Sequence, residues 1–180
     1  MDDLFIKKVC DGDHHAFRYF VSKYKDMAYS IALSIIKEEF AAQEIVQDAF
    51  IKAFKNLASF SHKSTFSTWF YRIIVNEALG RKKREKREPV IYTEQIVEDA
   101  IDHEQLTLLN EEEQIQQVNE ALLLLSANES LVLRLFYLQG ESIKEVSEIT
   151  GWSESNTKVL LHRARKNMYA IMKQLTTRQL

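Results

Sequence analysis

Residues 142–168 decide the fold of this chain, and their sequence is SIKEVSEITGWSESNTKVLLHRARKNM. Ser142 is followed three positions later by Glu145, which is the spacing of a capping box and predicts the start of a helix. Gly151 can adopt the left-handed conformation that ends a helix, so this helix is expected to stop just before it. Ser147 lies four residues earlier, and its small side chain would let a second helix approach closely. The segment is therefore predicted to be a helix-turn-helix.

The second helix of this motif, from Ser153 or Glu154 to about Met172, has two different faces. One stripe is expected to be buried: Thr157, Leu161, Ala164 and Met168. The opposite face carries mainly amide, hydroxyl and cationic side chains, which can bind base edges and phosphates in a DNA major groove. These candidates are Ser155, Asn156, Lys158, Val159, His162, Arg163 and Lys166. An isolated helix of this kind would be interpreted as a solvated polar face, but the paired capping boxes and the glycine spacing favour DNA binding.

Charge is distributed unevenly along the chain. The net charge is +5 for residues 1–87, −11 for residues 88–133 and +4 for residues 134–180, which gives −2 overall. The acidic stretch has eleven Asp and Glu and no lysine or arginine. Two basic segments separated by an acidic one suggest a polyanion that is bound at two separate places.

Helical periodicity also runs through the N-terminal half. Apolar residues recur at intervals of three and four in the stretches 17–35, 42–57 and 66–79, and the first is expected to open at Asp13. The chain has four glycines and a single proline, Pro89, which are too few for the turns of a sheet protein and place the end of the third helix before that proline. The sequence therefore predicts an all-α fold.

The helical stretches group into two domains. A first domain is expected at residues 1–88, an acidic linker at 89–111 and a second domain at 112–180. The linker is placed where apolar residues are sparse and carboxylates are dense. Within the second domain, Ser126 and Glu129 repeat the capping-box spacing and predict a further helix.

The segment around the start of the third helix combines aromatic and polar residues. Phe60 and Phe66 flank a polar loop, and Trp69 follows. Aromatic rings can hold an unstacked base while hydroxyl, amide and basic groups bind its edge, and the basic run 81–87 can neutralise phosphates. Since an aromatic stripe is more often part of a core, the helix aromatics are expected to be partly structural. The loop is the better candidate for base contact.

Other classes of protein are excluded on simple grounds. Cys10 is the single cysteine, and there is no apolar leader and no run of 18 apolar residues, so we expect a cytoplasmic protein without an intramolecular disulfide. Five histidines lie without cysteine partners and without HExxH or CxxC spacing. No metal, cofactor or catalytic activity is therefore expected.

Three segments together resemble the extracytoplasmic-function sigma factors, and the resemblance covers nearly the whole chain. They are AAQEIVQDAF at 41–50, FSTWFYRIIVN at 66–76 and NTKVLLHRAR at 156–165. The resemblance implies a first domain that binds the beta-prime clamp of bacterial core RNA polymerase and opens the minus-ten promoter element. It implies a second domain that binds the minus-thirty-five element, and an anti-sigma factor as a further partner.

The resemblance also assigns roles to individual residues. Contact with polymerase falls to the polar side of the second helical stretch: Gln43, Glu44, Gln47, Asp48 and Lys52. Minus-ten recognition falls to the loop and the helix after it: Phe60, Ser61, His62, Lys63, Ser64, Thr65, Thr68, Trp69, Arg72, Asn76, Arg81, Lys82 and Lys83. Minus-thirty-five recognition falls to the exposed face of the second helix of the helix-turn-helix. Phe70 stands where primary sigma factors carry the second tryptophan of a wedge pair, and Val159 and Leu160 replace a serine and arginine common in the family.

Alternatives remain at two points. The acidic linker either threads the channels of polymerase, as the resemblance implies, or folds onto the basic DNA-binding faces of its own chain, as the charge pattern suggests. A stand-alone helix-turn-helix regulator with an N-terminal dimerisation or sensor domain would explain the C-terminal domain. It would predict a stable dimer that binds its promoter tightly without polymerase.

Overall fold

The computed structural model describes residues 1–85 and 111–178, and every regular element in these two ranges is a helix. The first range contains α1 (Asp2–Cys10), a 3-10 turn (His14–Phe17), α2 (Arg18–Ile36), α3 (Glu39–Asn56), a 3-10 turn (Leu57–Ser59) and α4 (Phe66–Glu85). The second contains α5 (Glu111–Leu124), α6 (Ala127–Leu133), a π-helical turn (Arg134–Leu138), α7 (Ile143–Thr150) and α8 (Glu154–Arg178). The all-α prediction is confirmed. The expected helix end before Pro89, and the linker as far as residue 110, lie outside the described residues.

The N-terminal module, residues 1–85, is a bundle of α2, α3 and α4 around a core of aromatic and aliphatic side chains. Phe20, Ala49 and Phe70 come from the three different helices and are all fully buried. Burying one large apolar side chain of this kind stabilises the fold by about 1.5–3 kcal/mol. The Asp13 carboxylate accepts a hydrogen bond from the Ala16 N–H at 3.3 Å, so it caps the 3-10 turn that leads into α2.

Helix α1 was not predicted from the sequence. It is held against α2 by Asp2, whose carboxylate accepts hydrogen bonds from the hydroxyls of Tyr19 at 2.7 Å and Tyr24 at 2.6 Å, and from Lys23 at 2.7 Å. The helix has acidic residues in its first turn and basic residues in its last turn, the arrangement favoured by a helix dipole. That charge order was the signal that could have found it.

The C-terminal module, residues 111–178, contains the predicted helix-turn-helix. Both capping boxes form, at Ser126 with Glu129 and at Ser142 with Glu145. Gly151 adopts φ 77° after α7, and the hydroxyls of Ser147 and Thr157 lie 3.1 Å apart across the turn. Helix α8 continues past the expected end near residue 172.

The two modules pack against each other and share one hydrophobic core. Helix α2 packs on α6, and α4 packs on α7. Hydrogen bonds cross the interface: the Tyr71 hydroxyl donates to Gln139 Oε1 at 2.9 Å, and Lys37 Nζ donates to the Leu122 carbonyl at 3.0 Å. We call this the closed arrangement. The sequence did not predict the relative orientation of the modules, because the contacts join residues far apart along the chain.

Candidate nucleic-acid and protein interfaces

The polar face of α8 is exposed as a whole. Ser155, Asn156, Lys158, Val159, His162, Arg163 and Lys166 are all exposed. Thr157 and Ala164 on the other side are fully buried and Leu161 is 2% exposed, whereas Met168, which was expected in the same buried stripe, is partly exposed. Packing of that buried stripe fixes the rotation of α8, so the seven candidates form one continuous surface. Positively charged and amide donors on a rigid helix of this kind fit a DNA major groove.

Glu129 orients part of this surface, a role that the sequence did not show. Its Oε2 accepts a hydrogen bond from the Ser126 hydroxyl at 2.6 Å, while its Oε1 accepts from Arg163 Nε at 3.1 Å and Asn167 Nδ2 at 2.7 Å. One buried carboxylate therefore caps α6 and ties it to α8. The Arg163 side chain is still 62% exposed, so the Glu129 contact positions it without removing it from the surface.

The polar loop before α4 lies over a small cluster of aromatic rings. Phe60 is buried, with its ring centroid 5.2 Å from Trp69 and 4.7 Å from the His62 ring. Ser61, His62 and Lys63 are exposed, and His62 has a φ of 54°. A left-handed conformation is uncommon for histidine and often marks a functional loop. Phe60 thus supports the loop, whose surface is polar.

The start of α4 is fixed by hydroxyl contacts. Thr65 Oγ1 accepts from the Thr68 N–H at 3.2 Å and lies within hydrogen-bond distance of the hydroxyls of Ser67 and Thr68. Further along α4, Arg72 and Asn76 are exposed, as is Lys83. Of the remaining minus-ten candidates, Thr65 is exposed, and Ser64, Trp69, Arg81 and Lys82 are partly exposed.

Thr68 is the one minus-ten candidate on α4 that is covered by the C-terminal module. It is 3% exposed, and its hydroxyl donates a long hydrogen bond of 3.5 Å to Glu141 Oε2. Burial raises the pKa of Glu141 to about 7, and the nearby charge of Glu145 adds to the rise, while the Thr68 hydrogen bond opposes it. In the sequence Glu141 was only the residue after a glycine, and no local pattern marked it.

The polymerase candidates lie along the outer side of α3. Gln43, Gln47, Asp48 and Lys52 are exposed, and Glu44 is partly exposed. This surface is connected to α4 at two points: Arg81 Nη1 is 2.6 Å from Glu44 Oε2, and Lys52 Nζ is 2.5 Å from Glu77 Oε1. Helices α3 and α4 therefore present a joint polar surface in which two predicted sites, represented by Glu44 and Arg81, meet.

Residues 1–85 and 111–178 contain no cluster of three or more His, Cys, Asp or Glu that could hold a metal ion. None of the helices in this part of the chain is long and apolar enough to span a membrane.

The chain is similar in sequence to a known protein family. The model of Sigma-70 region 2 matches residues 20–88, and the model of Sigma-70, region 4 matches residues 115–168. The chain is 30% identical to the ECF RNA polymerase sigma factor SigW of Bacillus subtilis over 182 residues, which is 94% of each protein. It is 26% identical to the ECF RNA polymerase sigma factor SigM of Mycobacterium tuberculosis, over 92% of this chain and 82% of the relative.

A solved structure shows the same fold. The sigma factor RpoE of Bartonella quintana, in complex with the anti-sigma factor NepR, aligns with a TM-score of 0.66 at 22% identity, over 87% of this chain and 96% of that chain. Because both regions match in order and the similarity to SigW extends over nearly the full length, the chain belongs to the extracytoplasmic-function sigma factors of the sigma-70 family, non-enzymatic factors that act with RNA polymerase in transcription initiation.

Proposed function

We propose that the two modules divide promoter recognition between them. The first domain, residues 1–88, binds the beta-prime clamp of core polymerase through the outer side of α3 and captures an unpaired minus-ten base with the loop at 60–65. The second domain, residues 112–180, binds the minus-thirty-five element through the exposed face of α8. The acidic linker at 89–111 connects them.

The observation that carries this proposal is the exposure of the whole α8 candidate face opposite the buried Thr157, Leu161 and Ala164. Because α8 is held in this way, its exposed face can contact double-stranded DNA without any rearrangement of the module. The loop at 60–65 offers a different chemistry, since Ser61, His62 and Lys63 present hydroxyl, imidazole and ammonium groups on an aromatic support. Such groups suit the edge of a displaced base.

The closed arrangement cannot bind both promoter elements at once. The elements are named for positions about 25 base pairs apart, which is roughly 85 Å of B-form DNA at 3.4 Å per base pair. A compact chain of 180 residues is only roughly 40 Å across. The modules must therefore separate on polymerase, and separation also exposes Thr68 to the minus-ten strand.

Run-off transcription with purified bacterial core polymerase on a promoter library tests the proposal. We expect initiation only when this protein is added, and the selected promoters reveal both elements. Asn156→Ala should weaken use of the selected promoters about 5-fold to 150-fold, because one lost base contact is worth about 1–3 kcal/mol. Gln174→Ala, which removes an exposed amide further along α8, is the matched control.

A different result would favour the stand-alone regulator. If the protein did not associate with core polymerase, and instead formed a stable dimer that bound its promoter alone, the sigma mechanism proposed here would be wrong. His62→Ala distinguishes the contributions of the two modules in the same assay. It should impair strand opening while leaving minus-thirty-five binding intact.

Two further expectations belong to this proposal. An anti-sigma factor is expected as a partner, and the RpoE structure with NepR supports it by analogy of fold. A cytoplasmic location is expected because core polymerase and promoter DNA are there. Co-purification from the native host with an affinity-tagged chain tests the partner, and fractionation of the same cells tests the location.

A further inference from the structure

The interface between the modules contains two cationic side chains that have no acidic partner in the part of the chain that the structure describes. Arg134 is the first residue of the π-helical turn and is 4% exposed, and its Nε is completely buried with no hydrogen-bond partner among the described residues. Lys37 ends α2 in a left-handed conformation, and its ammonium group donates to the Leu122 carbonyl at 3.0 Å. Neither forms an ion pair with any carboxylate in residues 1–85 and 111–178.

A third polar group lies beside Arg134. Ser130 is fully buried, and its Oγ has no hydrogen-bond partner among the described residues. Residues four apart on a helix share one face, so Ser130 and Arg134 project from the same side. That helix packs on α2, the helix that Lys37 ends.

The electrostatics of this cluster are unfavourable as they stand. The pKa of Lys37 is lowered to about 8, mainly by burial, with smaller contributions from the positive charges of Arg134 and Lys82. A buried guanidinium without a hydrogen-bonding counter-charge is strongly disfavoured, because it has lost its hydration and gained no partner. The same groups would be stabilised by one anion, since all of them can donate hydrogen bonds.

We propose that Lys37, Ser130 and Arg134 form a binding site for a small oxyanion of the phosphate class, which links the two modules and stabilises the closed arrangement. The guanidinium supplies a planar pair of donors that matches a tetrahedral oxyanion, the ammonium supplies a point charge, and the hydroxyl supplies a neutral donor. Lys37 is partly exposed and gives the anion access from solvent. The site goes beyond the proposed promoter recognition and does not depend on it.

Calorimetric titration of the purified full chain with inorganic phosphate, at constant ionic strength adjusted with chloride, tests the site. We expect saturable binding of one phosphate per chain, with a dissociation constant on the order of 1 mM or tighter. Arg134→Met keeps an unbranched apolar stem and removes the guanidinium charge, and it should weaken binding about 10-fold or more. Ser130→Ala should weaken it about threefold, the effect of one neutral hydrogen bond.

Arg18→Met is the matched control, because it makes the same chemical change at an exposed position of α2. It should leave the phosphate affinity unchanged. Lys37→Met is the second test variant, at a partly exposed helix end, and it decides the matter if Arg134→Met does not fold. Titration with a nucleoside monophosphate, with the nucleoside as its control, shows whether the anion is free phosphate or a phosphate ester.

A second readout links the site to the closed arrangement. Cys10 is the single cysteine and is exposed, so it can carry one dye. A second cysteine introduced by Glu148→Cys carries the other, and energy transfer between the two dyes then reports the distance between the modules. Phosphate should raise the urea concentration at which transfer is lost, and Arg134→Met should abolish that rise. The proposal is overturned if the wild-type chain does not bind phosphate, or if Arg134→Met and Lys37→Met bind it as tightly as Arg18→Met does.

Discussion

The two surfaces that we propose to bind DNA differ in how accessible they are. The exposed face of α8 is complete in the closed arrangement, because the residues that fix it lie within the C-terminal module. The corresponding surface on α4 is incomplete, since Thr68 and Tyr71 are each 3% exposed under α7 and the residues before it. Under the proposed function, minus-thirty-five binding therefore needs only a folded module, whereas full access to the minus-ten surface also needs the modules to separate.

The largest effect is expected within α8 itself. Leu161→Ala should lower the free energy of unfolding by about 2–5 kcal/mol, because it leaves a cavity under the recognition face. The Val159 side chain on the same helix is 69% exposed, so Val159→Ala should change the free energy of unfolding by less than about 0.5 kcal/mol. Urea denaturation followed by circular dichroism measures both. Equal effects would mean that the rotation of α8 is not fixed as described.

The next effect concerns the carboxyl group that covers Thr68. The pKa of Glu141 is raised from 4.5 to about 7, so the folded chain binds more protons than the unfolded chain between these values. The stability associated with this group is therefore fully present below about pH 4.5 and is lost as the pH rises to about 7. The total loss is up to about 3 kcal/mol.

Glu141→Gln should remove this pH dependence, since the amide cannot ionise. Unfolding in urea at several pH values between 4.5 and 7 measures the difference between the variant and the wild-type chain. Glu148→Gln makes the same change at an exposed position of α7 and should retain the wild-type slope. A wild-type slope in Glu141→Gln would show that this carboxyl is not held in the interface.

The smallest effect is expected from one hydrogen bond across the interface. Tyr71→Phe removes the 2.9 Å bond to Gln139 and should destabilise the closed arrangement by about 1 kcal/mol. Energy transfer between labels on the two modules should then be lost at a lower urea concentration. Tyr137→Phe, at an exposed ring in the C-terminal module, is the control. Minus-thirty-five binding should stay unchanged in both variants, and a loss in Tyr71→Phe would contradict the independence of the two surfaces.

Much of the fold could be predicted because its signals are local. The capping boxes at Ser126 and Ser142, the glycine turn at Gly151 and the buried stripe of α8 each depend on residues within about one or two helical turns. Helix α1 was not predicted because it is short, and because its attachment through Asp2 depends on tyrosines about twenty positions away. The candidate residues on the α8 face and in the 60–65 loop were found from residue type and spacing.

By itself, the sequence determined the helices after α1, the capping boxes, the two-module order and the polar face of α8, since each follows from periodicity and from side chains near in sequence. Only the tertiary structure decided that Thr68 is covered, that Glu129 holds Arg163, and that Lys37 and Arg134 lie in the interface without an acidic partner among the described residues. Those facts depend on contacts between residues tens of positions apart. Burial and charge at such contacts are set by the packing of whole helices, and this packing cannot be predicted from a local sequence pattern.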